Sequence, residues 1–305
     1  MYTVVIPTHN RPDTLGRAIR SVLAQSVSPG EIIVVDDASS PPALVKEFDE
    51  CGVPVVLIRC DQPGGAPRAR NLGLDRGQFE FAAFLDDDDE WLPQKMEKQL
   101  NYLHRRPELV GVSCGRLIKS RDQESVEICT EASSDRYFWY DNYFGSFSFM
   151  TIRRNGSTKS VRIDPELRAV QDWDFWARLR EFGSVGMVEE PLCRMHSHTG
   201  ARISTNYLGR VLGWERFVES HKTRIPKGAQ RWIRSRIHFF RSHIEPSPFR
   251  RLAHVASGIA LALSSDFPIR RRLTHTVRLV IEAFLKHERA EAIKVAFRRR
   301  FPKNW

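Results

Sequence analysis

The chain has 305 residues, 41% apolar and 28% charged, which excludes a disordered protein and allows one full domain plus an appendage. Its net charge of +10 is unevenly spread: residues 206–305 carry 22 Lys and Arg against 7 Asp and Glu, a net of +15, leaving −5 on residues 1–205. Five cysteines, odd in number and without a C-x-x-C pair, argue against a disulfide framework.

Met1 leads directly into a strand pattern, so no signal peptide is expected. Residues 3–7 are β-branched and continuous, the pattern of a strand buried on both faces in a parallel sheet. A loop over 8–11 follows. Pro12 then opens a helix to about Gln25 on the apolar positions Leu15, Ala18, Ile19 and Leu23. Residues 31–35 read as a second buried strand, ending in Asp36-Asp37-Ala38-Ser39-Ser40, with a short helix expected from about Pro42. A third strand is expected over 53–58, and Gly64-Gly65-Ala66-Pro67 opens a helix carrying Arg68, Arg70 and Asn71. The fourth strand, 79–85, delivers Asp86-Asp87-Asp88-Asp89-Glu90 to its own C-terminal end. Strands alternating with helices predict parallel βαβ units: a doubly wound, mostly parallel α/β sheet with helices on both faces.

A helix from Pro93 to about Arg105, a strand over 110–114 and a strand over 148–153 come next. Between them, 120–147 turns from polar to aromatic and is expected as a loop near an acceptor. A helix starts at Asp172 and stops near Gly183, a short strand covers 185–188, and 191–198 leads away from it. Beyond Tyr207 the pattern is helical and basic. Arg250-Arg251-Leu252-Ala253-His254 is echoed by Arg271-Arg272-Leu273-Thr274-His275, each shortly after a proline, which predicts stacked helices separated by proline-bearing turns. The longest apolar run, 255–263, is too short for the roughly 20 residues that span a bilayer.

Five consecutive carboxylates repel one another, so such a run is either solvated or holds a cation. The apolar lead-in favours a strand end, the edge at which open α/β sheets bind ligands. Three acidic ends stand out: Asp36-Asp37, Asp86 to Asp89, and Asp172. A nucleotide-sugar site needs a polar pocket for base and ribose, hard oxygen ligands for a divalent cation on a diphosphate, and a carboxylate base for an acceptor hydroxyl.

The segments Val4-Val5-Ile6-Pro7-Thr8-His9-Asn10-Arg11, Ile33-Val34-Val35-Asp36-Asp37-Ala38-Ser39, Ala69-Arg70-Asn71, Phe84-Leu85-Asp86-Asp87-Asp88-Asp89 and Gln171-Asp172-Trp173-Asp174 resemble, in this order, the family 2 glycosyltransferases. The resemblance covers residues 1–205. It implies the GT-A fold and an inverting, Mn²⁺- or Mg²⁺-dependent transfer from an NDP-sugar to a saccharide or lipid-linked saccharide, in surface polysaccharide or glycolipid synthesis. Carried across, Thr8, Asn10 and Asp37 line the base pocket, and Arg11 and Arg70 join the nucleotide-sugar site. Asp86 or Asp87 meets the ribose, Asp88 ligates the cation, His196 approaches it, and Asp172 is the catalytic base. Asp89 and Glu90 are left to orient the loop or to favour the N-terminus of the helix that Pro93 begins. One residue departs from the pattern: Gln171 stands where the family commonly has Glu.

Taken singly, each motif has a plainer reading: helix N-caps for Asp36-Asp37 and Asp172, a solvated loop for Asp86 to Asp89, a surface histidine for His196. Trp91, Trp173 and Trp176 are expected in the core. Gly64-Gly65 is no G-x-G-x-x-G, so dinucleotide binding is not expected. A nucleotidyltransferase would need a glycine- and lysine-rich loop after the first strand, which Thr8 to Arg11 is not. Gln171 raises the alternative of a degenerate nucleotide- or glycan-binding module. The expected organisation is a nucleotide-sugar domain over 1–205 and a basic, mainly helical region over 206–305. Arg270-Arg271-Arg272 and Arg298-Arg299-Arg300 suit an anionic membrane surface, with a solvated face as the plain alternative. No RNA-type motif or recognition helix is evident, so nucleic acid is not expected. The expected location is the cytoplasm, with peripheral contact at the inner face of the plasma membrane.

Overall fold

The computed structural model describes residues 1–119, 124–196 and 206–284. The chain order is β1 (Tyr2–Thr8), α1 (Pro12–Leu23), β2 (Glu31–Asp36), β3 (Val55–Arg59), α2 (Ala66–Arg76), β4 (Phe81–Phe84), β5 (Asp89–Trp91), α3 (Lys95–Arg105), β6 (Leu109–Lys119), β7 (Glu124–Glu127), α4 (Glu131–Arg136), β8 (Thr151–Arg153), α5 (Gln171–Leu179) and β9 (Ser184–His196). The helices α6 (Tyr207–Ser220), α7 (Lys227–Ile244), α8 (Pro248–Ser264) and α9 (Ile269–Phe284) follow.

Every residue of β1 and β2 is buried, as their unbroken apolar runs require of parallel strands covered on both faces. The sheet order is β3-β2-β1-β4-β8-β6-β9-β5, with β7 on β6. The strands β3, β2, β1 and β4 are parallel, with Val5 opposite both Ile33 and Phe84. The chain winds outward from β1 to β3, then returns to β4 on the other side of β1. The winding therefore reverses between β1 and β4, which is where such a sheet opens a ligand crevice at its strand C-termini. Beyond β4, β8 runs antiparallel to β4 and β6, β6 is parallel to β9, and β5 is antiparallel to β9.

Three expectations are corrected. The short helix from Pro42 is only a 3₁₀ turn, Lys46–Phe48. The Asp36 carboxylate takes the amides of Ser39 (2.8 Å) and Ala43 (3.0 Å) and folds that stretch into a turn instead. The strand over 185–188 does not stop before Pro191; β9 continues to His196. Pro191 lies opposite Gly115 at an irregularity in register, so the bulge absorbs the missing donor. A Cβ on Gly115 would stand 2.9 Å from the Glu190 carbonyl oxygen and 3.0 Å from that of Glu127, so only glycine fits there. The segment expected as a loop over 120–147 contains β7 and α4 among its described residues, while 120–123 lie outside them. Its aromatics Phe138, Tyr143, Phe144 and Phe147 are buried: Phe138 packs edge-on to Trp173, and Phe144 lies 5.6 Å from Trp176. Trp91, Trp173 and Trp176 are buried, as expected.

The chain divides into two compact units. The first comprises Met1–Phe138, Asn142–Glu166 and Gln171–Thr199 and holds the sheet. The second joins Trp139–Asp141 and Leu167–Val170 to the described residues of 206–284. The boundary expected at 205 falls in 197–205, outside the described residues. In the second unit α7 packs against α6 and α8, and α8 against α9. The repeated sequence places His254 beside His238 of α7 and His275 beside Ser235 of α7, so both copies serve packing.

Candidate functional site

The five consecutive acidic residues diverge at the end of β4, each toward different partners. Asp86 Oδ1 accepts from Arg70 Nη2 at 2.5 Å. Asp87 is buried and accepts from the Thr8 hydroxyl (2.7 Å) and Arg11 Nη1 (3.0 Å). Burial pushes its carboxyl up to about 6, with Thr8 and Arg11 acting against that rise. Asp88 Oδ2 accepts from Arg11 at 2.6 Å, and its carbonyl from Arg17 Nη2 at 2.9 Å. Asp89 is buried, accepts from the Ser148 hydroxyl at 2.6 Å, and is held well above the carboxylate range by burial and the Asp86 charge. Glu90 meets Arg17 Nε at 3.1 Å and the His196 imidazole through Nε2. Burial and Arg17 hold that imidazole below its usual range. Cation and hydroxyl partners thus relieve the repulsion that the bare sequence implies.

Asp89 and Glu90 form the short strand β5 against Met195 and Arg194 of β9, which fixes the loop from behind. Ser148 fixes it from below: its hydroxyl donates to Asp89 and accepts from the Asp86 backbone N–H (3.1 Å). Nothing in the sequence pattern singles out Ser148. Ser148→Ala is expected to cost about 1–3 kcal/mol of stability in urea unfolding, because it strips a buried carboxyl of its donor.

At the end of β2, Asp36 is fully buried and its low pKa reflects Ser39, Ala43 and Arg59 overcoming desolvation. Asp37 Oδ1 accepts from Gly64 N (2.8 Å) and Oδ2 from Gly65 N (2.7 Å), which draws the start of α2 to β2. Asn10 Oδ1 accepts from Ser40 N at 2.7 Å, and Asn10 N donates to the Ser39 hydroxyl. Thr8, Asn10, Arg11, Asp37, Asp86 and Asp88 are thereby tied into one set of loops. Asn10, Ala38 and Val170 adopt φ of 54°, 59° and 57°. For a β-branched residue such as Val170 this is a strained conformation, of the kind concentrated at functional loops.

Arg70 links the two ends of the site. Gly73 lets α2 lie against β1; a Cβ there would meet Val5 Cγ1 at 2.3 Å. Arg70, one turn earlier, is buried with its guanidinium 4.0 Å over the Phe147 ring. It donates to Asp86 and, at 3.4 Å, to Gln171 Oε1. Its buried Nε has no hydrogen-bond partner among the described residues. Asn71 meanwhile brackets Ile163 with two backbone hydrogen bonds, at 2.8 and 2.9 Å.

Asp172 follows Gln171 in the first turn of α5 and accepts from the Trp173 amide at 2.8 Å. Burial pushes its carboxyl up to about 6; the Trp173 amide and Arg70 lower it, and Asp86 raises it. Asp174, the next acidic residue, is buried and accepts from Arg178 at 2.6 Å, so it is a structural ion pair. A carboxylate near pKa 6 beside an arginine and a second carboxylate can remove a proton at neutral pH. Among the described residues no three His, Cys, Asp or Glu side chains form a metal-binding group by themselves.

Residues 3–159 match the profile described as "Glycosyl transferase family 2". The putative colanic acid biosynthesis glycosyl transferase WcaA of Escherichia coli is 28% identical over 240 residues, which is 76% of this chain and 85% of that one. The putative teichuronic acid biosynthesis glycosyltransferase TuaG of Bacillus subtilis is 33% identical over 198 residues, 62% of this chain and 76% of that one. Among solved structures, the mannosyltransferase PcManGT of Pyrobaculum calidifontis, in complex with GDP-Man and Mn²⁺, superposes with a TM-score of 0.59. That match is 15% identical and covers 99% of this chain and 88% of the other, a likeness of fold.

Proposed function

This chain belongs to glycosyl transferase family 2 and has the GT-A fold, and from that premise we propose that it moves a sugar from an NDP-sugar to a hydroxyl acceptor, inverting the anomeric carbon, in the synthesis of a surface polysaccharide or glycolipid. The observation that carries the reading is Arg70, which joins Asp86 at the end of β4 to Gln171, directly before Asp172. Asp172 takes the acceptor hydroxyl proton while that oxygen attacks the anomeric carbon opposite the departing diphosphate. An ionised carboxylate is needed, and a pKa of about 6 supplies one at neutral pH. The orphaned Arg70 Nε is the kind of buried donor that an anionic ligand satisfies. Asp86 faces the ribose. Asp37 reads the base, since each of its oxygens accepts one glycine amide and keeps capacity for a further donor. Thr8, Asn10, Arg11 and Asp87 shape that pocket through the bonds already described. The names of WcaA and TuaG support the surface-polysaccharide assignment.

The donor set suits a hard divalent cation. Asp87 and Asp89 are closed off by burial, and Glu90 is held by both Arg17 and His196, whereas Asp86 meets Arg70 through Oδ1, Asp88 meets Arg11 through Oδ2, and their side chains keep 28% and 19% exposure. Asp88 would hold the ion, with diphosphate oxygens and water completing its shell. His196 would approach it, oriented by Glu90 as carboxylates orient metal-bound histidines. Bound there, Mn²⁺ or Mg²⁺ would neutralise the diphosphate as the glycosidic phosphate bond breaks.

The test is a thermal-shift panel of UDP-, GDP- and dTDP-sugars with and without Mn²⁺. The correct donor with metal at about 100 times its Kd is expected to stabilise the protein by about 2.7 kcal/mol. Transfer from the labelled donor then separates turnover from binding. If every nucleotide leaves Tm unchanged and no sugar is released, the donor assignment fails.

A further inference from the structure

The helix α8 is apolar on two faces, and only one of them is covered. Val255, Gly258 and Ala262 are buried, and the Gly258 carbonyl accepts from Ser235 of α7 at 2.7 Å. On the opposite side Phe249, Leu252, Ala256, Ala260 and Leu263 are all exposed, Phe249 to 86%. Their spacing of three and four residues makes one stripe along the helix. On α9, Ile269, Leu273, Val277 and Val280 repeat the arrangement and are exposed as well. A helix with apolar residues on all sides belongs either inside a protein or against lipid. Among the described residues no helix is long and apolar enough to cross a membrane.

The charges decide between the occupants. Residues 248–284 contain Arg250, Arg251, Arg270, Arg271, Arg272 and Arg278 against Asp266 and Glu282. Arg250, Arg251 and Arg270 are exposed at the starts of the two helices. A second copy packed on this face would bring arginine against arginine, a like-charge arrangement that disfavours pairing. An anionic phospholipid surface accepts both parts of the pattern: acyl chains take the stripe and phosphates take the arginines, whose long stems let the charge reach the headgroups.

We infer that the exposed apolar faces of α8 and α9, with the arginines at their starts, are a docking surface for a bilayer of anionic phospholipids. The surface lies on elements that supply none of the proposed donor-site residues, so its test and that of the transfer reaction fail separately.

The 305-residue chain is to be floated with vesicles of phosphatidylglycerol mixed with phosphatidylcholine, and with phosphatidylcholine alone. Binding is expected only to the anionic vesicles and should weaken as salt rises. Both Leu252 and Leu273 are exposed, so Leu252→Glu with Leu273→Glu should leave Tm and donor binding unchanged while lowering partitioning about tenfold or more. Arg250→Gln and Arg270→Gln should each lower it about fivefold. No binding to anionic vesicles, or binding that the glutamate pair leaves intact, overturns the inference. So does a wild-type dimer in light scattering that the same glutamate pair dissociates, because the face would then be covered by a second copy.

Discussion

Asp172→Asn is expected to lower kcat by about 10²- to 10⁴-fold with little change in donor affinity, the loss that removing a positioned general base produces. Asn keeps an oxygen for the Trp173 amide, which now meets Asp172 Oδ1 at 2.8 Å, so the first turn of α5 should stay in place. The wild-type pH profile carries the sign. Burial disfavours the charged carboxylate and pushes it up to about 6, against the Trp173 amide and Arg70. The reactive, deprotonated form therefore prevails above about 6, and kcat/KM should fall as pH drops through that value. The variant should have lost this acid limb. Full transfer by Asp172→Asn would remove the residue from the base role.

Arg70→Met should be the second large effect, lowering kcat/KM by about 10²-fold, or roughly 3 kcal/mol. Methionine approximates the buried length of arginine but cannot donate to Asp86 or Gln171, contacts now made at 2.5 and 3.4 Å. Asp86 then turns without its cation, and its charge continues to raise the Asp172 carboxyl. Because Arg70 lowers that carboxyl, its removal should move the acid limb of kcat/KM above 6. A purely structural role would reduce the amount of folded enzyme and leave the limb where it was. The two outcomes are separated by measuring the profile on the folded fraction.

Much of the sheet is written in local patterns. The runs 4–7 and 32–35 are apolar at every position, and such runs have few alternatives to a strand covered on both faces. The acidic pair Asp36-Asp37 after the second run stands at the strand end, where backbone amides and Arg59 can offset the cost of burying Asp36. The motif order carried the family. Reading failed where a local signal competed with a distant partner. Pro191 looked like the end of a strand, and only Gly115, across the sheet, lets β9 pass through it. Phe138 and Phe144 looked like loop residues and are core because α5, more than twenty residues later, brings Trp173 and Trp176 to them.

The alternation of strands and helices and the carboxylates at strand ends are legible in the sequence because each depends on neighbours within a few residues, and the family is legible because its motifs keep their order along the chain. Only the three-dimensional arrangement shows which partners each carboxylate meets. Asp86 and Asp172 are 86 residues apart in the chain. Asp86 nevertheless raises the Asp172 carboxyl and Arg70, on a helix held close to β1 by Gly73, lowers it, because the fold brings the three charges near one another. Charge interaction depends on distance through space and on the water excluded between groups, and neither is a property of spacing along the chain.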